Sequence, residues 1–289
     1  MKIKNLNPEL KKLSIDYLYH LGLDTSLDLK KLFGDVRFVC MGGSPERARE
    51  FALCVIRGLN LDISEADVKP VGKTERFSLY KVGPVISVSH GMGMPSIAIL
   101  MHEVTKLCYY AGCEDPVFIR VGTSGGIGVE PGIVVLTDEA LNAGFEPFYQ
   151  VIAAGKIKKY PSPLDVRLNQ EIIAANPDCQ IVQGKTIAAD CFYEEQARTD
   201  GALDPGYTEA DKLAYLTLAH EQGVRNFEME SLQFAAFCQR AGIRGADICV
   251  SLVNRLKGDQ ITSTHEELVG YARRAQTVAI NFIKATLQE

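Results

Sequence analysis

A short run of β-branched and aromatic residues, Val117–Val121, leads directly into a glycine-rich segment. Such a run is typical of a buried strand. Arg120 interrupts it, and because burying an unpaired guanidinium is costly, we expect an anion to face this side chain. Four of the seven residues 122–128 are glycines, with Thr123 and Ser124 between them.

This arrangement is suited to binding an oxyanion. Glycines allow positive φ angles and let backbone N–H groups come close to a ligand. A strand end with arginine, threonine, serine and free backbone donors also lies where open α/β sheets bind their ligands. Taken alone, the run is better explained as a glycine turn beside a surface arginine, because glycine-rich turns are common. The interpretation therefore depends on the other segments of the chain.

A second hypothesis comes from the same residues. Gly122–Gly126 matches G-x-S-x-G, the nucleophile elbow of α/β-hydrolases, with Ser124 as the nucleophile. An acid and a histidine follow in the required order, at Asp247 and His265. The elbow requires a helix straight after the serine, whereas residues 129–136 are typical of a turn and a strand. This weakens the hydrolase hypothesis without excluding it.

Composition sets the broad class of protein. The chain has 289 residues, of which 46% are hydrophobic and 23% charged, as in ordinary globular proteins. The net charge is −5 and there is no basic run, so nucleic acid is not an expected partner. No apolar stretch is long enough to span a membrane, and Met1–Asn5 does not begin a signal peptide. We expect a cytoplasmic protein.

The cysteines and histidines show no metal-binding pattern. None of the eight cysteines forms a C-x-x-C pair, and most lie in apolar segments, as expected of reduced, buried thiols in the cytoplasm. The five histidines lack ligand spacing, and His102, within a predicted helix, is expected to be structural. We expect no metal site.

Strands and helices alternate along the chain, which predicts an α/β fold. The expected helices are 7–19, 45–57, 96–110, 165–175, 208–222, 230–241 and 264–287, and the expected strands are 36–41, 76–82, 84–88, 117–121, 132–138, 185–189, 225–229 and 245–253. Residues 76–88 form a predicted hairpin. We expect an irregular excursion over 139–165 and a polar flap over 254–262.

A second candidate anion site follows the first core strand. Gly42 and Gly43 precede a predicted helix, in which Ser44 suits the N-cap and Pro45 the first helical position. The N-terminus of a helix attracts anions, and Arg47 is one turn inside it. An ordinary capped helix explains the segment equally well. The ending of a Walker loop is missing.

The segment between the hairpin and the next helix contains Gly91-x-Gly93, with Ser96 three residues later. A strand, two glycines and a helix resemble a dinucleotide-binding fingerprint. However, that motif needs an acidic residue at the end of the next strand, and here the strand ends in Arg120 and Gly122. An arginine at that place suits a phosphate group instead.

Four separated fragments, in the same order, resemble the uridine phosphorylases of the nucleoside phosphorylase family. The fragments are Gly43–Arg47, Arg120–Gly126, Phe192 with Gln196–Arg198, and Glu228–Ser231. The run Val82–Gly93 is similar to the animal-type enzymes in particular. The resemblance extends from about His20 to Phe282, and four motifs together are more specific than any one of them.

The resemblance implies one α/β domain over 1–289, with a mixed, twisted central sheet that is partly closed into a barrel and flanked by helices. It also implies an N-terminal helical segment, 1–34, at a dimer interface. The implied reaction is the reversible conversion of uridine and phosphate into uracil and ribose 1-phosphate. Phosphate is a co-substrate, and no cofactor or membrane is involved.

The resemblance also implies the site residues. The phosphate ligands are Gly43, Arg47, Arg76, Arg120 and Thr123. The ribose ligands are His20, Thr123, Met229 and Glu230. The base ligands are Phe192, Gln196, Arg198, Leu252 and Ile261. Arg120, Gln196, Arg198 and Glu230 are the implied catalytic residues, and Arg76 and His20 are implied to come from a second subunit of a homo-oligomer, most simply a dimer.

These roles agree with the chemistry of the side chains. Three arginines compensate a phosphate dianion. The carboxylate of Glu230 can accept hydrogen bonds from two vicinal hydroxyls, although an acid in the first turn of a helix is equally ordinary. The carboxamide of Gln196 complements the carbonyl and N3–H of uracil. Without the resemblance, a solvated loop is the simpler interpretation of residues 196–198.

Two positions bear on substrate choice. Ser44 stands where the bacterial uridine phosphorylases have aspartate, as in the animal-type enzymes. The purine-specific relatives carry an acid near the end of the last strand, where this chain has Leu252–Arg255. Because Asn254 is a poor proton donor, purine nucleosides are disfavoured. Three hypotheses remain: a pyrimidine nucleoside phosphorylase, a serine hydrolase using Ser124, and a nucleoside-binding protein without catalysis.

Overall fold

Eight strands form one mixed sheet that curls back on itself at one end. The computed structural model describes residues 2–288, and this sheet has the order β11-β10-β7-β12-β6-β3-β5-β4. Its strands are β3 (Phe38–Gly42), β4 (Leu79–Val82), β5 (Val85–Ser89), β6 (Val117–Gly126), β7 (Val134–Leu141), β10 (Ile181–Ala188), β11 (Val224–Glu228) and β12 (Gly245–Asn254). Two short hairpins are β1–β2 (Tyr17–Leu18, Leu23–Asp24) and β8–β9 (Phe148–Ala153, Lys156–Pro161).

Strand β11 closes part of the sheet. It pairs in parallel with β10 and also antiparallel with the end of β6, through Asn226 with Gly126 and Phe227 with Gly125. Strands β6, β12, β7, β10 and β11 therefore form a five-stranded ring. The predicted fold, a single α/β domain with a partly closed mixed sheet, is confirmed.

Helices cover the sheet on both faces, as in other α/β proteins. They are α1 (Leu29–Phe33), α2 (Pro45–Gly58), α3 (Met94–Ala111), α4 (Val166–Ala174), α5 (Glu209–Glu221), α6 (Ser231–Ala241) and α7 (His265–Gln288). One apolar cluster joins α1, α3 and α6 to the sheet, and another joins α2, α4 and α7 to it. No helix within residues 2–288 is both long and apolar enough to cross a bilayer.

Local sequence signals fix several helix ends and turns. The Ser44 hydroxyl accepts from Arg47 N at 3.2 Å, with Pro45 at the first helical position. Thr208 and Asp211 form a reciprocal capping box at the start of α5. Strands β4 and β5 are antiparallel, as the predicted hairpin requires. These predictions are confirmed.

The helix expected over 7–19 is wrong. Residues Pro8–Lys12 form only a short 3₁₀-helix, and the chain then extends into β1. The buried carboxylate of Asp16 explains the change, because it accepts hydrogen bonds from Lys106 and Tyr110 of α3 at 2.7 and 2.8 Å. This docking holds the segment in an extended conformation, and its apolar residues do not all turn inward.

The irregular excursion expected over 139–165 is also wrong in part. Strand β7 continues to Leu141, and residues 148–161 form the regular antiparallel hairpin β8–β9. Its turn is made by Ala154 and Gly155, which have φ angles of 50° and 77°. Both positive angles fit the two-residue turns that match the twist of a hairpin. Alanine is not typical of such a turn, so the sequence around Ala154 did not predict the hairpin.

Candidate active site

A cavity of about 660 Å³ opens where several parallel strands of the sheet end. Strands β3, β5, β6 and β12 run in the same direction, and the cavity lies at their carboxyl ends, as expected for ligand sites in α/β sheets. Eleven predicted site residues line it: Gly43, Arg47, Arg120, Thr123, Phe192, Gln196, Arg198, Met229, Glu230, Leu252 and Ile261. The fold therefore brings these separated segments together at one cavity.

Arg120 is buried on β6 and is surrounded by carboxylates of its own chain. Its Nη1 donates to Asp247 Oδ1 at 2.8 Å, its Nη2 lies 2.9 Å from Glu228 Oε2, and Nη2 also donates to Glu230. Burial opposes the charge, but Glu228 and Asp247 outweigh it and raise the pKa of Arg120. The expected anion partners are thus protein groups, and the guanidinium is held rigidly at the edge of the cavity.

Glu230 and Glu228 lie at the junction of β11 and α6, and their pKa values are shifted in opposite directions. Burial raises the pKa of Glu230, but the charge of Arg120 together with the hydrogen bonds from Arg120 and Gly93 N outweighs this, so its pKa is lowered. Its Oε1 also accepts from Gly93 N at 2.5 Å. Burial dominates at Glu228 and raises its pKa to about 7. Glu230 is therefore an ionised acceptor, as holding two hydroxyls requires.

A guanidinium and a hydroxyl, those of Arg47 and Thr123, meet at the start of α2. Arg47 Nη1 is 3.3 Å from Thr123 Oγ1, which joins the helix N-terminus to the glycine-rich end of β6. Gly43 lies between β3 and this helix and also lines the cavity. The two anion-binding segments predicted separately from the sequence therefore form one site.

The loop after β10 brings one aromatic and two polar side chains to the cavity, those of Phe192, Gln196 and Arg198. Arg198 binds Asp200 through Nε and Nη2 at 2.9 and 2.7 Å, and its guanidinium carbon lies 4.7 Å from the ring centroid of Phe192. Gln196 is buried, whereas Phe192 is half-exposed. An aromatic face beside a carboxamide and a guanidinium is chemically suited to a heterocycle with polar edges.

Arg255 lines the cavity and was not singled out by its sequence. It is buried on the cavity wall and donates through Nη2 to Gln196 O at 2.7 Å and through Nη1 to Gln196 Oε1 at 3.4 Å. Its Nε donates to Asp259 Oδ1 at 2.5 Å, and Lys212 pairs with the same carboxylate. This network fixes the orientation of Gln196. The available signal was a second arginine directly after a buried strand, with an acid four residues later.

His20 and Arg76 do not line the cavity of their own chain. His20 Nδ1 lies 2.6 Å from Glu103 Oε1, on the outer part of the structure near α3. Arg76 is exposed in the segment that precedes β4. Their predicted action from a neighbouring subunit stays a prediction.

The hydrolase hypothesis is not supported by the structure around Ser124. Strand β6 continues to Gly126, so no helix follows the serine as a nucleophile elbow requires. Ser124 Oγ accepts from Asn226 Nδ2 at 2.9 Å. Asp247 is bound to Arg120 and Thr137, and His265 is exposed at the start of α7. The acid is therefore committed to other partners. Residues 2–288 also contain no cluster of three or more potential metal ligands.

Comparison with known families agrees with this geometry. The model of the phosphorylase superfamily matches residues 37–288. The chain belongs to this family. The match includes every cavity-lining segment from Gly43 to Ile261.

The chain is similar to several uridine phosphorylases. Uridine phosphorylase 1 of Mus musculus is 46% identical over 286 residues, covering 97% of this chain and 92% of that protein. The crystal structure of uridine phosphorylase from Schistosoma mansoni in complex with uracil has a TM-score of 0.91 and 40% identity, covering 97% of this chain and 98% of the other. A further Schistosoma mansoni relative, inactive uridine phosphorylase B, is 39% identical over 267 residues, covering 91% and 89%. Overall identity therefore does not by itself decide activity.

Proposed function

We propose that the protein catalyses the reversible phosphorolysis of uridine to uracil and ribose 1-phosphate. The observation that carries the proposal is a single cavity that contains an arginine-rich anion site, an ionised carboxylate and a carboxamide–guanidinium pair. These three groups match the three parts of the reaction, namely phosphate, ribose and base. The uridine phosphorylases among its relatives support this substrate class.

Phosphate binds to the Gly43 N–H, Arg47, Arg120 and Thr123. In this position the dianion stabilises the positive charge that develops at C1′ of the ribose as the glycosidic bond breaks. Met229 and Glu230 hold the ribose, with the ionised Glu230 accepting from the 2′- and 3′-hydroxyls. The hydrogen bonds from Arg120 and from Gly93 N keep this carboxylate in place before substrate arrives.

Uracil leaves as an anion whose charge is spread over O2 and O4. Gln196 pairs with the polar edge of the base, Phe192 packs near its ring, and Arg198 stabilises the developing charge. Leu252 and Ile261 border the base and the flap. Preorganised donors of this kind supply a large share of catalysis in other enzymes, so we propose that phosphate is the only additional reactant and that no cofactor is needed.

Purine nucleosides are expected to be poor substrates. Asn254 follows the cavity wall but turns away from it, because its Nδ2 donates to Glu130 and its Oδ1 accepts from Gly128 N. No acid is therefore available there to protonate a purine base.

We also propose a homo-oligomer, most simply a dimer, in which 1–34 contributes to the interface and each site takes Arg76 and His20 from the partner. The exposed guanidinium of Arg76 and the exposed apolar side chains of Leu13, Ile15 and Tyr17 support such a contact. The eight free cysteines support a cytoplasmic location.

The decisive assay measures uracil release with and without inorganic phosphate. Uridine, deoxyuridine, thymidine and inosine are compared in parallel. We expect strict phosphate dependence with uridine and little release from inosine. Release without phosphate indicates a hydrolase, and uridine binding without any release indicates a non-catalytic nucleoside-binding protein.

A further inference from the structure

The His90 side chain makes no hydrogen bond to the groups that hold phosphate, ribose or base in the proposed site. It directly follows β5 and lines the cavity, with only 1% of its surface exposed. Within residues 2–288, neither Nδ1 nor Nε2 has a hydrogen-bond partner. The Gly91 carbonyl comes close to the ring but does not reach hydrogen-bonding geometry. A buried imidazole with two unsatisfied nitrogens is costly, which indicates that a ligand completes it.

The backbone of His90 is fixed on both sides. Its N–H donates to Gly42 O at 2.8 Å, which ties it to the end of β3. Its carbonyl accepts from Ser96 Oγ in the first turn of α3 at 2.6 Å. The attachment point of the imidazole therefore cannot shift, and the ring is presented to the cavity from a rigid position.

The imidazole and the Arg47 guanidinium converge on the space above Gly43. A Cβ atom built on Gly43 would lie 3.8 Å from Arg47 Nη1 and 4.0 Å from His90 Cε1. This is the space where the helix N-terminus and Arg47 favour an anion. The His90 ring therefore lies beside the proposed phosphate position.

The charge state of His90 suits a neutral donor. Burial lowers its pKa, and the positive charge of Arg120 lowers it further, to about 4. The ring is therefore uncharged at neutral pH, with one N–H donor and one acceptor nitrogen. A neutral donor can bind an anion without adding repulsion toward Arg47 and Arg120.

We propose that His90 donates an imidazole N–H to inorganic phosphate bound above Gly43, as a phosphate ligand in addition to the arginines. This assignment rests on the proposed function, because it makes the co-substrate the missing partner of the ring.

The test measures the binding of inorganic phosphate to the free protein by calorimetry, without nucleoside. His90→Ala should weaken phosphate binding roughly ten- to a hundred-fold, as expected for one hydrogen bond to a charged group. His90→Gln, which keeps an uncharged donor, should recover part of the loss. The matched control is His102→Ala, because His102 is a partly buried histidine of α3 that does not line this cavity, and it should bind phosphate like the unmodified protein.

A second measurement needs no variant. With ¹⁵N-labelled histidine, saturating phosphate should shift the ring nitrogen signals of His90 in the unmodified protein. An unchanged phosphate affinity in folded His90→Ala, or no shift of these signals at phosphate saturation, overturns the assignment. A raised KM for uridine with unchanged phosphate binding assigns the ring to the ribose and also overturns it. If the unmodified protein binds phosphate but releases no uracil, the proposed function fails while the His90 assignment is still decided.

Discussion

Arg120 and Asp247 are register partners on the paired strands β6 and β12, and Nη1 of the first lies 2.8 Å from Oδ1 of the second. Both side chains are buried. The register of two strands therefore positions the arginine that we assign to phosphate. A buried ion pair of this kind is weak evidence for net stability, and without Asp247 the guanidinium of Arg120 would still face Glu228 and Glu230.

Asp247→Ala should lower the free energy of unfolding by roughly 3–5 kcal/mol, because it removes two buried hydrogen bonds to a charged carboxylate, one from Arg120 and one from Thr137. Urea unfolding measures the loss. The control is Glu9→Ala, which breaks the solvent-exposed pair with Lys12 and should change stability by about 0.5 kcal/mol or less. Equal losses in the two variants would show that burial does not govern the pair.

Arg198→Ala should lower kcat by about two to three orders of magnitude, with a smaller change in uridine affinity. Neutral uridine offers Arg198 a carbonyl dipole, whereas departing uracil offers it much of an anion, so the interaction strengthens in the transition state. Loss of one preorganised donor costs roughly 3–4 kcal/mol in comparable enzymes. Arg198→Lys should recover only part, because an ammonium cannot bind Asp200 and the base as the guanidinium fork does.

Single-turnover rates combined with phosphate titration check this prediction. Phosphate affinity should hardly change in Arg198→Ala, since Gly43, Arg47, Arg120 and Thr123 lie in other segments of the cavity wall. A large loss of phosphate affinity with an intact chemical step would assign Arg198 to the wrong substrate.

Ser124→Ala should keep substantial activity. The hydroxyl accepts from Asn226 and contacts the Val250 carbonyl, so its loss affects packing more than chemistry. A fluorophosphonate probe should leave the unmodified protein unlabelled. Stoichiometric labelling of Ser124 would contradict the phosphorylase proposal directly.

Much of the fold followed from local signals whose physical cause lies within a few residues. The caps at Ser44 and Thr208 and the hairpin before β5 are of this kind. The errors arose where distant contacts overrode the local pattern. Asp16 docks on α3 from far along the chain, and this contact replaced the expected helix over 7–19.

In the candidate site, too, the features with a local cause were predicted and those that depend on distant contacts were not. The glycine and arginine motifs could be recognised in the sequence because the residues that form each motif are neighbours in the chain. The role of Arg255 was not visible, since its partner Gln196 lies 59 residues away and meets it only in the folded chain. His90 gave no signal for a similar reason, because its unpaired ring is a property of its buried surroundings.

Mixing Arg76→Ala subunits with Arg47→Ala subunits should restore some activity. In a mixed dimer one site combines the native Arg47 of one subunit with the native Arg76 of the other. Arg47 is preferred to Arg120 for this experiment because it is exposed, so its loss leaves no buried carboxylate unpaired. Activity is measured after subunit exchange, which is followed with two differently labelled variants. Complete exchange without recovered activity would contradict the shared site.

The stability of the folded protein should depend on pH through Glu228. Burial raises the pKa of this carboxyl from 4.5 to about 7 in the folded protein. Between these values the folded state holds a proton that the unfolded state has released, so stability falls as pH rises. Its charged neighbours are Arg120, Asp247 and Glu230. The pKa of Glu230 is lowered, so this group titrates below the window, whereas the pKa of His90 is lowered from 6.5 to about 4, so His90 also changes stability in the lower part of the window.

Glu228→Gln removes the titrating proton but keeps the side-chain shape and an acceptor for the Glu230 and Ser231 N–H groups. Between pH 5 and 8, the free energy of unfolding of the unmodified protein should therefore fall relative to that of the variant, by roughly 1–3 kcal/mol. Urea unfolding of both proteins at several pH values gives this difference. Because other titrating groups are common to both proteins, their contributions cancel to first order. A difference that stays flat, or that rises with pH, would mean that Arg120 keeps Glu228 ionised throughout this range.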